Sequence, residues 1–256
     1  METLDQLAVV GAGLGAGFVM ASIGVASLVS FPVLIALGIP PVVANASNTV
    51  GLIPAGLSGS FGYRRELAAY PQVTRVVVAT GALGSVAGAF LLLGLPAGVF
   101  EAVVPWLILF ACLLVGMQPW ISKRLAARRA VGEVSEPRTR AGRGIAALTT
   151  TAGVYGGYFG AGQGVVVVAI LALGLELPTA VVNALKTVAV LGANIVAGVI
   201  FLAIADLDWQ VIGLLGAGSV VGGYIGSRVG RRLPPALFRT LVVVAGVVAS
   251  ATMLLG

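Results

Sequence analysis

Lys186 is the one charge in the interior of a long apolar stretch of this chain, and the polar residues around it recur at helical spacing. Asn183, Lys186 and Thr187 stand at i, i+3 and i+4, so on a helix they share a face. Asn45, Asn48 and Thr49 have the same spacing earlier in the chain, and Asn194 follows Lys186 by eight residues and extends its face. Helices are expected to begin at Pro41 and Pro178, which places these groups in or near their first turns. There, unpaired N–H groups and the positive end of the helix dipole favour anions. A lysine at membrane depth costs at least about 2.5 to 3.5 kcal/mol. Lys186 lies about 12 Å along the helix from Pro178 at 1.5 Å per residue, which argues against simple snorkelling to the surface. With no carboxylate in the interior of any apolar stretch, its natural partner is a small anionic substrate. The structural alternative for each Asn and Thr is a bond to a neighbouring helix.

A second signal is the run from Tyr155 to Gly164, with five glycines in ten residues. Each glycine costs a helix about 1 kcal/mol relative to alanine, so the run is expected to unwind and offer backbone N–H groups to a ligand. Its side chains Tyr155, Tyr158 and Gln163 join the candidate substrate-binding set. The first half has a less glycine-rich counterpart around Gly24, between Ser22 and Ser30. Gly81, Gly84, Gly88, Gly216, Gly222 and Gly226 read instead as small residues that let helices approach.

Other chemistries are poorly supplied. The chain has no histidine and one cysteine, Cys112, which removes His-based acid–base work, disulfides and thiolate metal clusters. No metal or cofactor is expected. A Ser–Lys dyad from Lys186 with Ser22, Ser27 or Ser47 is the best case for an intramembrane enzyme, but none of these serines is adjacent to the lysine in sequence. An assembly subunit of a membrane complex is the remaining alternative. No Gly-x-x-x-x-Gly-Lys-Ser/Thr loop is present, so the chain itself is not expected to hydrolyse ATP.

The elements that hold these residues follow from charge placement. Of 256 residues, 59% are apolar and 9% charged, and the mean hydropathy is +1.08. Residues 6–63, 76–100, 102–122, 144–175, 209–227 and 240–256 carry no charge. About 20 apolar residues as helix cross the hydrocarbon core, so the chain reads as an all-α, polytopic transmembrane bundle of about eight hydrophobic segments. It is expected in the plasma (inner) membrane as a multi-pass protein, with membrane lipid as a partner. The first apolar run is too long for a signal-peptide core and is expected to stay in the membrane domain. The net charge of +6 is assigned to loop anchors rather than to nucleic acid.

The chain also divides and repeats. Seven basic residues from Lys123 to Arg143, against Glu133 and Glu136, separate a first transmembrane repeat (1–118) from a second (145–256), with 119–144 as a cytoplasmic loop. Asn45 to Thr49 recurs as Asn183 to Thr187, and Leu95-Pro96 with Phe100 recurs as Leu233-Pro234 with Phe238, both at an offset of 138. Gly81-Ala82 with Gly88 recurs as Gly216-Ala217 with Gly223 at 135. Eight full crossings would put Arg228, Arg231 and Arg232 opposite the central basic loop, against the positive-inside rule. Broken or re-entrant hairpins over about 6–38 and 145–174 make the halves inverted and remove the conflict. Arg64, Arg65, Arg75 and Arg228 to Arg232 are then cytoplasmic, and Asp5, Glu101, Glu176, Asp206 and Asp208 are outside. Such duplication points to a transporter, with room for a coupling ion and for self-association.

Several segments in order carry a family resemblance. They are Gly24-Val25-Ala26-Ser27-Leu28 with Phe31-Pro32, Ala36 to Pro41, Ala44-Asn45-Ala46-Ser47-Asn48-Thr49 and Gly62-Tyr63-Arg64-Arg65-Glu66. Gly153 to Gly162, Phe201 to Trp209 and Gly222 to Pro235 complete the set. Across essentially its whole length the chain resembles the sulfite exporter TauE/SafE family of membrane transport proteins. The resemblance implies movement of sulfur-containing anions such as sulfite or organosulfonates. The chain departs from the family at Val25-Ala26, where Gly-Gly is common, so the first hairpin tip is expected to be less open than the second.

Overall fold

A computed structural model describes residues 2–22, 24–131, 139–229 and 235–255. Glu133, Glu136, Arg138, Arg231, Arg232, Leu233 and Pro234 lie outside the described residues, as do the side chains of Ser22, Arg128, Arg129, Arg228 and Phe238. The described chain is helical, without strands. The first half forms α1 (Thr3–Ser22), α2 (Ser27–Ala36), α3 (Pro41–Gly51), α4 (Ile53–Gly62), α5 (Arg64–Ala69), α6 (Pro71–Gly94) and α7 (Ala97–Val131). The second forms α8 (Arg143–Tyr158), α9 (Gln163–Gly174), α10 (Thr179–Ile204), α11 (Trp209–Val229) and α12 (Pro235–Leu255). Proline sets several of the starts. Pro41 and Pro71 are first residues, Pro178 caps α10, and Pro54 at the second position of α4 breaks the expected single span over 42–63 at Leu52. The corresponding α10 has no internal proline and runs unbroken for 26 residues. The basic stretch after residue 119 also begins as helix, because α7 continues to Val131.

Among the described residues, five helices, α1, α6, α7, α10 and α11, are long and apolar enough to cross a membrane. α2 and α9 have 10 and 12 residues. They reach about 15 and 18 Å at the helical rise, well short of the roughly 30 Å hydrocarbon core. Each folds back on the helix before it. A Cβ on Gly15 would lie 3.1 Å from Val29 Cγ1, and one on Gly174 would lie 3.0 Å from Ile145 Cγ1. The chain therefore leaves α9 at the end where α8 began. Glu176 accordingly sits at the end of Arg143, which corrects its expected place with Asp206 and Asp208: a hairpin returns its chain to the side of entry.

Glycine contacts fix the helix directions. Gly84 and Gly88 of α6 bring their Cα atoms against the backbone of Thr150 and Val154 in α8, and Gly153 and Gly157 of α8 meet the carbonyls of Gly81 and Ser85. On the other side of the bundle, Gly13 and Gly17 of α1 meet the carbonyls of Leu215 and Ser219 in α11, while Gly218 and Gly222 meet those of Val10 and Leu14. Both pairs run parallel. Ser85 Oγ donates to the Ala193 carbonyl at 2.6 Å, and α10 runs alongside α6 in the same direction. α6, α8 and α10 therefore start at one end, with Arg75, Arg140 and Arg143, and α10 delivers Asp206 and Asp208 to the other, where α11 and α1 begin. α7 and α12 pack antiparallel, Ser250 Oγ donating to the Pro105 carbonyl at 2.8 Å and Cys112 lying near Val243.

At Gly84 or Gly222 a side chain would overlap the backbone of another helix, which cannot swing aside. Gly84→Leu and Gly222→Leu are expected to cost about 3 kcal/mol or more as overpacking. Gly116→Leu, where no atom lies within 4 Å of the new Cβ, should be nearly neutral. Thermal unfolding in detergent reads the contrast, and equal stability of all three would contradict these contacts.

Candidate functional site

The site is built where the tips of the two hairpins meet the middle of α3–α4 and α10. At the first tip Gly24 has φ +85°, and at the second Gly160 and Gly162 have φ +78° and +76°. These left-handed conformations are open to glycine at no steric cost. The second tip is tied in place by its own residues. Tyr155 O–H donates to the Ala161 carbonyl, and Tyr155's carbonyl accepts from Phe159 and Gly160 N–H. The Phe159 ring meets Phe31 edge-on at 5.3 Å, and Tyr158 meets Phe100 at 5.5 Å.

Lys186 lies between the tips. Its Nζ stands 2.5 Å from where a Cβ on Gly24 would be, and its Cδ stands 3.3 Å from the same position on Gly164. Only residues without side chains leave that slot. Among the described residues the ammonium has no hydrogen bond or ion pair. Beside Gly24 and Gly164 is a small recess of about 20 Å³, lined by Ser27, Thr49, Leu52, Phe159 and Asn194 among others. That is room for about one water molecule. Two helices start at this cavity: α2, whose first residue is Ser27, and α9, whose second is Gly164. The N–H groups of Ser27 and Gly164 have no partner among the described residues. Two helix N-termini and the polar side chains of Ser27, Thr49 and Asn194 thus border one small space, and the Lys186 side chain packs against two glycines of its lining, Gly24 and Gly164. Helix N-termini and an ammonium are groups that favour anions.

Of the residues singled out in the sequence, Thr49 and Asn194 line this recess, and Lys186 packs against its glycines, Gly24 and Gly164. The others stand one layer back. Asn45 Nδ2 donates to the Tyr158 carbonyl at 3.0 Å, satisfying an end carbonyl of α8. Asn48 Oδ1 accepts from Ser30 Oγ at 2.5 Å, so α3 holds α2 as well. Gln163 is 1% exposed, donates to the Ala152 carbonyl at 3.1 Å and packs across Gly156. Thr187 donates to the Asn183 carbonyl at 2.8 Å and turns its methyl toward Gly59 of α4, as Thr49 donates to Asn45 at 2.9 Å. Ser27, Gly24 and Gly164 were not in the candidate substrate-binding set. Their signal was the glycine and serine content of two matching hairpin tips. Ser47 accepts from Asp208 N–H at 3.0 Å, at the far end of α10, and Ser27 makes no hydrogen bond to Lys186 among the described residues, so no Ser–Lys dyad is assembled from these two.

The profile of the sulfite exporter TauE/SafE family matches residues 9–253. The chain belongs to that family. Over 94% of its length it is 26% identical to a "Probable membrane transporter protein" of Haemophilus influenzae, covering 91% of that protein. It is 26% identical to "Probable membrane transporter protein ORF9" of a Sinorhizobium species, over 91% and 85% of the two chains. With "Probable membrane transporter protein YfcA" of Escherichia coli K12 it shares 27% identity, over 93% and 86%. No solved structure matches it significantly. This TauE/SafE-family chain is a multi-pass membrane transporter and not an enzyme.

The hydrogen bonds divide the polar residues into those that hold the tips and those that face the cavity. Asn45→Ala strands the Tyr158 carbonyl and should lower unfolding free energy by about 1 to 3 kcal/mol, whereas Asn48→Ala leaves the Ser30 hydroxyl its bond to the Ala26 carbonyl and should cost about 1 kcal/mol. Asn194→Ala strands none among the described residues and should stay within about 0.5 kcal/mol. Thermal unfolding of the three purified variants checks the division.

Proposed function

We propose that this transporter carries a small sulfur oxyanion or short organosulfonate, by alternating access around the Lys186 cavity. The observation that carries the reading is the unpaired Lys186 ammonium between two hairpin tips, with the starts of α2 and α9 aimed at the same space. No described carboxylate neutralises it, so a permeating anion is the group that completes the site. The family description names sulfite export, which supports sulfur as the central atom. A cavity of about 20 Å³ does not admit such an anion, so the tips must part for it to enter and leave. The glycine-hinged tips, held by single side chains such as Asn45 and Tyr155, are suited to that movement.

We further infer that residues 1–118 and 145–256 are inverted repeats. Matching glycine contacts support this. Gly13 and Gly17 use Leu215 and Ser219 as Gly153 and Gly157 use Gly81 and Ser85, a shift of 140 residues on one helix and 134 on its partner. The signs at Glu101 and Arg239, 138 residues apart, fit opposite faces, acidic outside and basic inside.

Flux in proteoliposomes tests the substrate. Sulfite, thiosulfate, short organosulfonates, sulfate and carboxylates are compared, and Lys186→Gln is expected to fold normally and lose at least about tenfold of the flux, the scale of one charged hydrogen bond. Unchanged flux in Lys186→Gln rejects the role of the lysine, and flux of carboxylates alone rejects sulfur. Topology is tested separately in a Cys112→Ser background. Asp206→Cys should react with impermeant thiol reagents added to intact cells, while Arg65→Cys should be shielded; the reverse pattern overturns the orientation.

A further inference from the structure

Away from the Lys186 site, a groove of about 1240 Å³ lies on the flank of the bundle, between α7 and the α8–α9 hairpin. Small-molecule sites run to about 1,000 Å³ at the upper end, so this space is oversized for a small anion. Its walls are aliphatic or aromatic: Phe110 and Leu114 from α7, Leu148 from α8, and Ala169 and Leu173 from α9. Leu148 and Leu173 are 54% and 61% exposed, which places the groove on the outer surface of a membrane helix bundle, open to lipid along its length. One end is different. Thr139, Arg140 and Gly142 close the groove at the basic end of the molecule. That segment is held by Gln72, whose amide both donates to and accepts from the backbone of Ala141, at 3.4 and 3.3 Å. Arg140 is exposed and has no ion pair among the described residues, and Gly142 and Gly144 leave open space at the start of α8.

We propose that this groove binds an anionic phospholipid, with an acyl chain along α9 and the phosphate at Arg140. Charge complementarity selects the occupant: a fixed cation at the interface end of an apolar, membrane-facing channel matches an anionic headgroup above a hydrocarbon tail. The lipid belongs to the leaflet at the basic end, the cytoplasmic one under the topology proposed above. Its tail would touch Phe110, whose ring meets Tyr155 edge-on at 6.1 Å, and Val165, next to Gly164. The bound lipid therefore abuts the tip that Tyr155 ties down, and its occupancy bears on how readily that tip opens.

Native mass spectrometry of the full chain, extracted from bilayers of equimolar phosphatidylglycerol and phosphatidylcholine with matched acyl chains, tests this. The first retained lipid is expected to be phosphatidylglycerol by at least about fivefold. Arg140→Gln should bring the ratio close to one, and Ala169→Phe, which fills the groove, should remove that lipid altogether. Leu83→Phe, on an exposed face of α6, should leave both unchanged. Arg140 is exposed, so its variant keeps the test informative if Ala169→Phe folds poorly. No preference in the wild type, or a preference that survives Arg140→Gln, overturns the proposal. So does an Ala169→Phe protein that retains the lipid but loses anion flux, because the groove is then a substrate route. Retention is read without transport, and Lys186→Gln should keep the lipid preference, so this site and the transport reading fail independently.

Discussion

A lone ammonium at membrane depth, with no carboxylate to neutralise it, is the constraint around which the rest of the structure is arranged. Water is scarce there, and a charge left alone is costly. The described residues do not supply a counter-ion. They surround Lys186 with glycine instead, Gly24 from one hairpin and Gly164 from the other, so that the side chain fits between two backbones. The starts of α2 and α9 add further positive potential at the same place. Without an anion these like-signed elements repel, and with one they are drawn together. Under the proposed reading, the electrostatics that would select an anion are also a force acting between the two tips.

The glycine contacts decide which parts can move as units. α1 is pressed backbone to backbone on α11, and α8 on α6, at distances that leave no room for a Cβ. Each hairpin is therefore bound most closely to a helix from the other half of the chain. A rocking motion that separated residues 1–118 from 145–256 would have to open both interfaces. Movement that preserves them carries α1 with α11 and α8 with α6. It divides the molecule at the hairpin tips, where the ties are single hydrogen bonds such as that from Asn45 to Tyr158.

What was legible in the sequence follows from what the bilayer enforces. Charges are excluded from the hydrocarbon core, so the charge-free runs marked the membrane helices, and an exception such as Lys186 stood out. Glycine content marked the tips because an unwound backbone needs it. The roles of Asn45, Asn48 and Tyr155 were not legible. An amide or hydroxyl near the site can bind a ligand or bond to the protein itself, and only the positions of Tyr158, Ser30 and Ala161 show that these three do the latter. Glu176 was misplaced because its charge was grouped with other acidic residues, whereas a re-entrant helix of 12 residues returns it to the basic end. Ser27 was passed over as a binding residue because its importance comes from standing first in α2 at the cavity, a matter of fold rather than residue type.

The two halves are alike in packing and unlike at the site, and the difference bears on the charge of the cargo. At the offset of 138, Asn48 corresponds to Lys186. Asn48 is neutral and held by Ser30, so the first half closes on itself, while Lys186 has no partner among the described residues. Lysines at both positions would bring two ammonium groups toward one cavity, a repulsion that a small anion would have to overcome each time the site emptied. A single lysine avoids this. One ammonium balances a monoanion such as a sulfonate, and the two helix N-termini, worth roughly half a charge each, bring the site close to balance with a divalent oxyanion. Those half-charges are fixed to the tips rather than to α10. As the tips withdraw, their contribution falls away, Lys186 remains, and a divalent anion loses more of its stabilisation than a monovalent one. Under the proposed alternating access, release on opening is therefore steeper for the divalent species, a form of coupling between charge and conformation that needs no titrating carboxylate.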